Sequence, residues 1–258
     1  MENVKSMIYH LKGWNLSDIE LIAKYKKYKF DGVAFYCNCQ TCEEIKKQVE
    51  YARKICLFVD TFHGPLKDSG TIWTDNCKAY MQMVFEYLKL AKELGIKYFI
   101  MHPAGKECVS FSKTGLNNFR KIAKFCKANN IELLFENLRM VDSMIFLLEK
   151  IKYAKVCLDF GHANVWCYKP KDAIKKFKNR IKAVHLHDND GKFCNDQHLI
   201  PLQGSIDWQN DIKLLYKYYN GPISLELDNF KTEEFKYDNI DKYLSDAIDS
   251  CKVLKKFI

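Results

Sequence analysis

Two hydrophobic rhythms alternate along the chain. Short apolar runs rich in β-branched and aromatic residues recur: "SMIYHL" (6–11), "FDGVAFYC" (30–37), "ICLFVDTF" (55–62), "KYFIMH" (97–102), "IELLFEN" (131–137), "AKVCLDF" (154–160), "IKAVHLH" (181–187) and "PISLELD" (222–228). Near-continuous apolarity over so few positions is what a strand buried on both faces looks like. Between the runs lie segments with apolar residues at i, i+3, i+4 and i+7, which predict amphipathic helices. The clearest are "DNCKAYMQMVFEYLKLAKELG" (75–95), "KTGLNNFRKIAKFCKANN" (113–130) and "NIDKYLSDAIDSCKVLKKF" (239–257). The first ends at Gly95, as a helix closing on a left-handed residue would.

Strand and helix alternate from end to end, which predicts right-handed βαβ units and a parallel sheet. Eight such repeats close into a single (β/α)8 TIM barrel, an α/β fold, over residues 1–258. A doubly wound open sheet is the alternative. It wants a Gly-rich phosphate loop after the first strand, and "HLKGWN" is no G-x-G-x-x-G. No linker, low-complexity stretch or second domain interrupts the alternation. The longest strand-to-helix loops are expected at 63–73 and 188–206.

Composition narrows the setting. At 48% hydrophobic and 14% aromatic, the chain has the means to bury a core, which argues against disorder. No apolar run reaches membrane-span length, and "MENVKSMIYHLKGW" is not built like a secretory signal, so a cytoplasmic protein without a membrane partner is expected. The 11 cysteines then read as reduced thiols, many of them, such as Cys56, Cys126 and Cys157, buried within apolar runs. "YCNCQTC" gathers Cys37, Cys39 and Cys42, but no second Cys/His pair stands at zinc-ribbon spacing, so metal binding is expected not to need them. Net charge is +9, carried largely by lysines on helical faces such as "KPKDAIKKFKNRIK" and "CKVLKKF". Such faces are ordinarily solvated, and the charge leaves room for a phosphorylated substrate or for nucleic acid.

The unusual chemistry lies at the strand ends, which face the active-site mouth of a barrel at their C-terminal side. In order they carry His63, then His102, then Glu136, then Asp159 with His162 three residues on, then His185 and His187, then Glu226. The stretch "AVHLHDNDGKFCNDQH" adds Asp196 and His198 in the loop beyond strand seven. Unpaired carboxylates gathered in one pocket repel each other, and isolated buried ones are costly. A divalent cation removes that cost. Imidazoles mixed with carboxylates suit Zn or Mn, and also Co or Fe, better than Ca or Mg. Only one of His185 and His187 need reach a metal. His10 ends strand one and either lines the pocket or fills core.

At these residues the chain resembles the xylose-isomerase-like barrel superfamily, which spans sugar and sugar-phosphate isomerases and epimerases and the endonuclease IV type of DNA repair enzyme. The resemblance covers nearly the whole chain. For the epimerase branch it implies metal ligands Glu136, Asp159, His185 and Glu226, with Glu136 and Glu226 also acting as the catalytic acid/base pair through a metal-stabilised enediolate, and His162 touching substrate. For the nuclease branch it implies a trinuclear zinc set of His63, His102, Glu136, Asp159, His162, His185, Asp196, His198 and Glu226, which would cut DNA at abasic sites. "ENLRMV", "DFGHANVW" and "SMIYHLKGWN" depart from the nuclease pattern. "HLHDNDGKFCNDQHLIPLQGSIDW" is similar to the isomerase loop H-L-x-D…D-x-H-L-P-x-G-x-G-x-I-D-W, with Gln203-Gly204-Ser205 in place of G-x-G, and "FHGP" matches its H-x-P. The resemblance therefore implies first a metal-dependent sugar isomerase or epimerase with a small carbohydrate as partner. In it His63, His102, His162, Asp196 and His198 bind substrate or additional metal. The alternative is a zinc-dependent abasic endonuclease with nucleic acid as partner. A homo-oligomer is compatible with both.

Overall fold

The structure, a computed structural model, describes residues 4–38, 40–105, 111–139 and 141–258. Eight parallel strands form one sheet in the order β7-β6-β5-β4-β3-β2-β1-β8. They are β1 (Ser6–Tyr9), β2 (Gly32–Tyr36), β3 (Thr61–His63), β4 (Tyr98–Met101), β5 (Glu132–Glu136), β6 (Lys155–Asp159), β7 (Ile181–His185) and β8 (Ile223–Leu225). Parallel pairing of Leu186 with Leu225 joins β7 to β8 and closes the barrel. Helices α1 (Asp18–Lys27), α2 (Cys42–Lys54), α3 (Lys78–Glu93), α4 (Lys113–Ala128), α5 (Val141–Lys150), α6 (Pro170–Phe177), α7 (Trp208–Leu215) and α8 (Ile240–Lys255) follow strands β1 to β8 in turn. The expected (β/α)8 barrel is therefore the fold. Among the described residues no helix is long and apolar enough to cross a membrane.

Local sequence explains where the helices start. Ser17 and Thr41 accept the backbone N–H of Glu20 and Glu44, whose carboxylates reach back to the cap residues. Each box satisfies donors that the first helical turn leaves without partners. Gly95, just past α3, adopts φ +63°, the left-handed conformation expected of it.

Strand periodicity places the chemistry. Met7, Ala34, Ile100, Leu134, Cys157 and Ala183 pack together inside the barrel, whereas their strand neighbours such as Ile8, Phe35, Phe99, Phe135, Leu158 and Val184 pack in the layer that includes the helices. Side chains alternate along a strand, so the residue two positions beyond each interior one points into the same lumen, one layer nearer the mouth. Those residues are Tyr9, Tyr36, His102, Glu136, Asp159 and His185. A barrel floor of apolar side chains thus carries a polar layer directly above it.

One predicted strand is corrected. Of the run 55–62, only Thr61 and Phe62 enter β3. Ile55 caps α2, and Cys56, at φ +61°, is exposed rather than buried. Leu57 and Val59 are apolar because they are core residues, and Phe58 touches the sheet through a parallel bridge to Gly32. Core packing before the strand produced a strand-like run.

After β6 the chain turns sharply into a helical turn, Phe160–His162, capped by Asp159. Gly161 lies against the His187 ring, so that a Cβ there would stand 1.9 Å from His187 Cε1. The Gly161→Ala substitution should therefore cost about 1–3 kcal/mol through overpacking. Urea unfolding measures this, and an unchanged midpoint would show that the ring is free to move away.

Candidate metal centre

The polar layer at the barrel mouth forms three connected donor groups among the described residues: Glu136, Asp159, His185 and Glu226; His63, His102 and Glu136; and His162, His187, Asp196 and His198. Within each group the candidate ligand atoms lie within 4.8 Å of one another. Every site residue expected from the sequence is in one of these groups.

The first group is the deepest. His185 Nδ1 lies 3.0 Å from Glu226 Oε2, 3.3 Å from Glu136 Oε1 and 3.6 Å from Asp159 Oδ2. His185 Nδ1, Glu136 Oε1 and Glu226 Oε2 are buried and make no hydrogen bond among the described residues. Their outer atoms are tied down instead. His185 Nε2 pairs with the Tyr9 hydroxyl at 2.8 Å, and Glu226 Oε1 accepts from the Tyr36 hydroxyl. Glu136 Oε2 faces His63 Nε2 at 2.9 Å and His102 Nε2 at 3.3 Å. Buried polar atoms are normally satisfied, and the exceptions here converge on one point. The donor set and its partnerless atoms fit a divalent cation with nitrogen and oxygen ligands.

Histidine tautomers carry the same message. His63, His162 and His198 each turn Nδ1 to a backbone carbonyl, of Gly64 at 2.9 Å, Asn137 at 3.1 Å and Glu226 at 3.0 Å. A carbonyl only accepts, so Nδ1 carries the hydrogen, and in the neutral ring Nε2 is left with a lone pair. That lone pair faces a carboxylate: Glu136 for His63, and Asp196 for His198 at 3.2 Å and His162 at 3.7 Å. Two acceptors in that position require a proton or a cation between them. A second ring nitrogen locked by a carbonyl is how metal-binding imidazoles are ordinarily oriented.

Electrostatics follow from burial and charge together. Burial alone raises the Glu136 carboxyl, but the charges of His185 and His102, with His102 Nε2 at 3.3 Å and His162 Nδ1 at 3.2 Å, outweigh it and hold it well below the usual range. Asp159 behaves likewise under His162 and His187, and Glu226 under His185. Burial also opposes charge on His162 and His185. Asp159 and Asp196 nonetheless push the former up, and the Glu226 and Glu136 carboxylates push up the latter. Burial wins at His102 and His198, which lie below the ordinary imidazole value.

The loop after β7 is folded around one carboxylate. Asp188 is fully buried and accepts the backbone N–H of Asn189, Leu202 and Ile206 and the indole N–H of Trp208, at 2.9, 3.0, 3.3 and 2.7 Å. An antiparallel bridge from Asp188 to Leu199 brings Asp196 and His198 back over the site. Gly204 is needed there, because a Cβ would stand 2.3 Å from both Asn189 O and Asp188 Oδ1. This is the physical content of the "HD…GSIDW" pattern.

Several site residues carry weak sequence signals. His187 follows His185 by two and shares its face; its Nε2 lies 3.1 Å from Asp159 Oδ1, and its ring stacks on His198 at 3.7 Å. It steadies Asp159 and His198. Tyr9 and Tyr36 look like ordinary strand aromatics, and only the two-residue offset from Met7 and Ala34 marks them. Lys231, in the loop after β8, reaches Asp196 Oδ2 at 2.7 Å. His10 lines the cavity, but Nε2 bonds Asp18 at 3.0 Å and Nδ1 faces the Tyr25 hydroxyl at 3.3 Å, so both nitrogens are engaged. Cys37 is buried and Cys42 begins α2; neither belongs to a donor group, and Cys39 lies outside the described residues.

Above the donors opens a cavity of about 520 Å³. Leu11, Leu66, Leu138 and Leu227 supply apolar wall, and Lys12, Arg139 and Lys231 bring positive charge. Trp166 lines it too, its ring stacked on His162 at 4.4 Å.

A family model described as "Xylose isomerase-like TIM barrel" matches residues 22–256. An uncharacterized protein of Methanocaldococcus jannaschii, MJ1614, is 26% identical over 247 residues, which cover 89% of this chain and 94% of that protein. Among solved structures, a D-tagatose 3-epimerase-like protein superposes with TM-score 0.76 at 21% identity, covering 98% of this chain and 96% of its own. D-Psicose 3-epimerase, solved in the presence of D-fructose, gives 0.78 at 16% identity, covering 98% and 99%. The 3-keto-D-glucoside 4-epimerase YcjR of E. coli gives 0.76 at 15% identity, covering 96% and 100%. At these identities the structures establish likeness of fold.

Because His162 and His185 sit above their ordinary values beside these carboxylates, a cation entering the site displaces protons. Addition of Mn(II) or Zn(II) to chelator-stripped protein near pH 7 should release about one proton or more per ion bound. Measurement in a pH-stat checks this, and uptake of metal without proton release would contradict the charge balance drawn here.

Proposed function

The chain belongs to the xylose isomerase-like TIM barrel family, and from that premise we propose that it is a divalent-metal-dependent isomerase or epimerase of a sugar or sugar phosphate. One observation carries the reading. Glu136 and Glu226 each direct a partnerless buried oxygen at His185 Nδ1 and tether the other oxygen to neighbouring side chains.

Glu136, Asp159, His185 and Glu226 would hold the ion. A divalent cation held there would supply Lewis-acid polarisation to adjacent carbonyl and hydroxyl oxygens of the substrate. The protein's own groups do the proton work. Glu136 ends β5 and Glu226 directly follows β8, with β6 and β7 between them, so they address a substrate over His185 from different sides. One removes the proton next to the carbonyl. The other returns it to the neighbouring carbon or to the opposite face. His63 and His102 orient Glu136, and Tyr36 orients Glu226. His162, Asp196 and His198 line the cavity beside them and bind hydroxyls or further metal. The cavity is large enough to admit a monosaccharide, the leucine wall would keep water from the reacting carbons, and Trp166 offers a flat face to sugar C–H groups. Lys12 and Arg139 at the same cavity suit a phosphorylated substrate.

A second reading, a zinc-dependent abasic endonuclease, draws on the three donor groups taken together and on the +9 charge. Cleavage of an abasic duplex by the zinc-loaded protein, without action on any sugar, would favour it.

The Glu136→Gln variant keeps the side-chain shape and loses the proton acceptor. With a keto-sugar that the wild type epimerises, its exchange of the α-proton for deuterium should fall by about 100-fold or more. NMR in D2O measures the wash-in, and undiminished exchange would remove Glu136 from the acid/base pair.

A further inference from the structure

The donor groups at the barrel mouth differ sharply in charge. The central one combines three buried carboxylates, Glu136, Asp159 and Glu226, with a single imidazole. The one built on Asp196 has one carboxylate and the imidazoles of His162, His187 and His198. Asp196 alone among these carboxylates also carries an ammonium, since Lys231 Nζ lies 2.7 Å from its Oδ2. Lys231 offsets that single charge, so a cation among the Asp196 donors meets no net charge from its own donor set, whereas one at the centre meets three negative charges from its own.

The lysine is not a loosely tethered surface group. Asp228 Oδ1 accepts the Phe230 N–H at 2.9 Å, and Asn229 exchanges side-chain hydrogen bonds with the Tyr237 backbone at 2.7 and 2.8 Å. The Phe230 ring packs on Trp14, with centroids 5.6 Å apart, and covers Gly13. The loop that delivers Lys231 is thereby fastened to the loop after β1. On the far side of the carboxylate, Asp196 Oδ1 is shielded from solvent and makes no hydrogen bond among the described residues, while His198 Nε2 stands 3.2 Å away. Lys231 thus shares Oδ2 with His198 Nε2 at 3.2 Å and His162 Nε2 at 3.7 Å, while Oδ1 keeps no hydrogen-bond partner among the described residues.

We propose that Lys231 is a built-in counter-charge that makes the His162–Asp196–His198 group a weak, exchangeable cation site beside a tight central one. The inference rests on the metal-centre reading of Glu136, Asp159, His185 and Glu226. A fixed ammonium a few ångströms from a divalent ion opposes its binding, and removal of the ammonium restores the carboxylate's full attraction. Lys231 acts through Asp196 and touches none of the central ligands, so its effect is confined to the second ion.

The test is equilibrium binding of Mn(II) alone to chelator-stripped full-length protein, followed by the electron paramagnetic resonance of the free ion. Wild type should show one tight ion and a second held at least about 10-fold more weakly. K231M should tighten the second ion by about 10-fold or more and leave the first unchanged. K231R, which keeps the charge, should match wild type. D196N in the K231M background should abolish the second ion, which assigns it to Asp196. Circular dichroism reports folding, and Lys231 is one-third exposed, so K231M should fold. Two ions of equal affinity in wild type, or a second ion that K231M leaves unchanged or weakens, would overturn the counter-charge role and leave the central site standing. A folded wild type without any tight ion would instead overturn the metal-centre reading itself.

Discussion

Three carboxylates, Glu136, Asp159 and Glu226, are buried around the Nδ1 atom of His185, with a fourth, Asp196, at their edge. Without positive charge among them the arrangement would be costly, because each ionised group has left water and repels the others. The rest of the mouth answers to that constraint. Imidazoles from β3, β4 and β7 and from the turn after β6 close around the carboxylates, and two tyrosine hydroxyls hold the outer atoms of His185 and Glu226. Protons supply part of that charge, and a divalent cation at the same atoms would supply it more fully.

The barrel supplies the rigidity such a site needs. Ligands borne on strand ends sit above a packed lumen, and their positions are set by sheet register rather than by loop conformation. The two groups that do come from a loop, Asp196 and His198, are fixed by a separate device. Asp188 gathers three backbone N–H groups and an indole around one carboxylate, and so converts a long connection into a framework. Residues in left-handed conformations collect in this segment, at Cys194, His198 and Leu202. Such backbone persists only where its surroundings hold it, and here the Asp188 network does so.

Much of this was legible in the sequence because barrel geometry turns strand position into spatial position. The alternation of apolar runs and amphipathic segments marks the fold, and the residue ending each run marks the site; the grouping of Glu136, Asp159, His185 and Glu226 as one ligand set comes from the resemblance to xylose-isomerase-like barrels. The run 55–62 misleads because Leu57 and Val59 are buried before the strand begins, and apolarity reports burial, not hydrogen bonding. Tyr9 and Tyr36 are hidden because an aromatic in a strand is ordinary, and only knowledge of which face is the lumen separates them from Phe35. Lys231 was invisible for another reason. Its partner is 35 residues away, across a contact that exists only once the loops after β7 and β8 have folded together. The imidazole tautomers, which give the strongest argument for a cation, depend on backbone carbonyls that no side-chain pattern records.

Barrel, charge and tautomers all converge on the atom cluster formed by Glu136, Asp159, His185 and Glu226 as the place where we propose that a divalent ion binds. Crystals of the protein grown with Mn(II), measured on both sides of the manganese absorption edge, test that most directly. The account predicts that the strongest anomalous peak lies among Glu136 Oε1, Asp159 Oδ2, His185 Nδ1 and Glu226 Oε2. A map with no peak there, or with its strongest peak elsewhere in the barrel mouth, would contradict it.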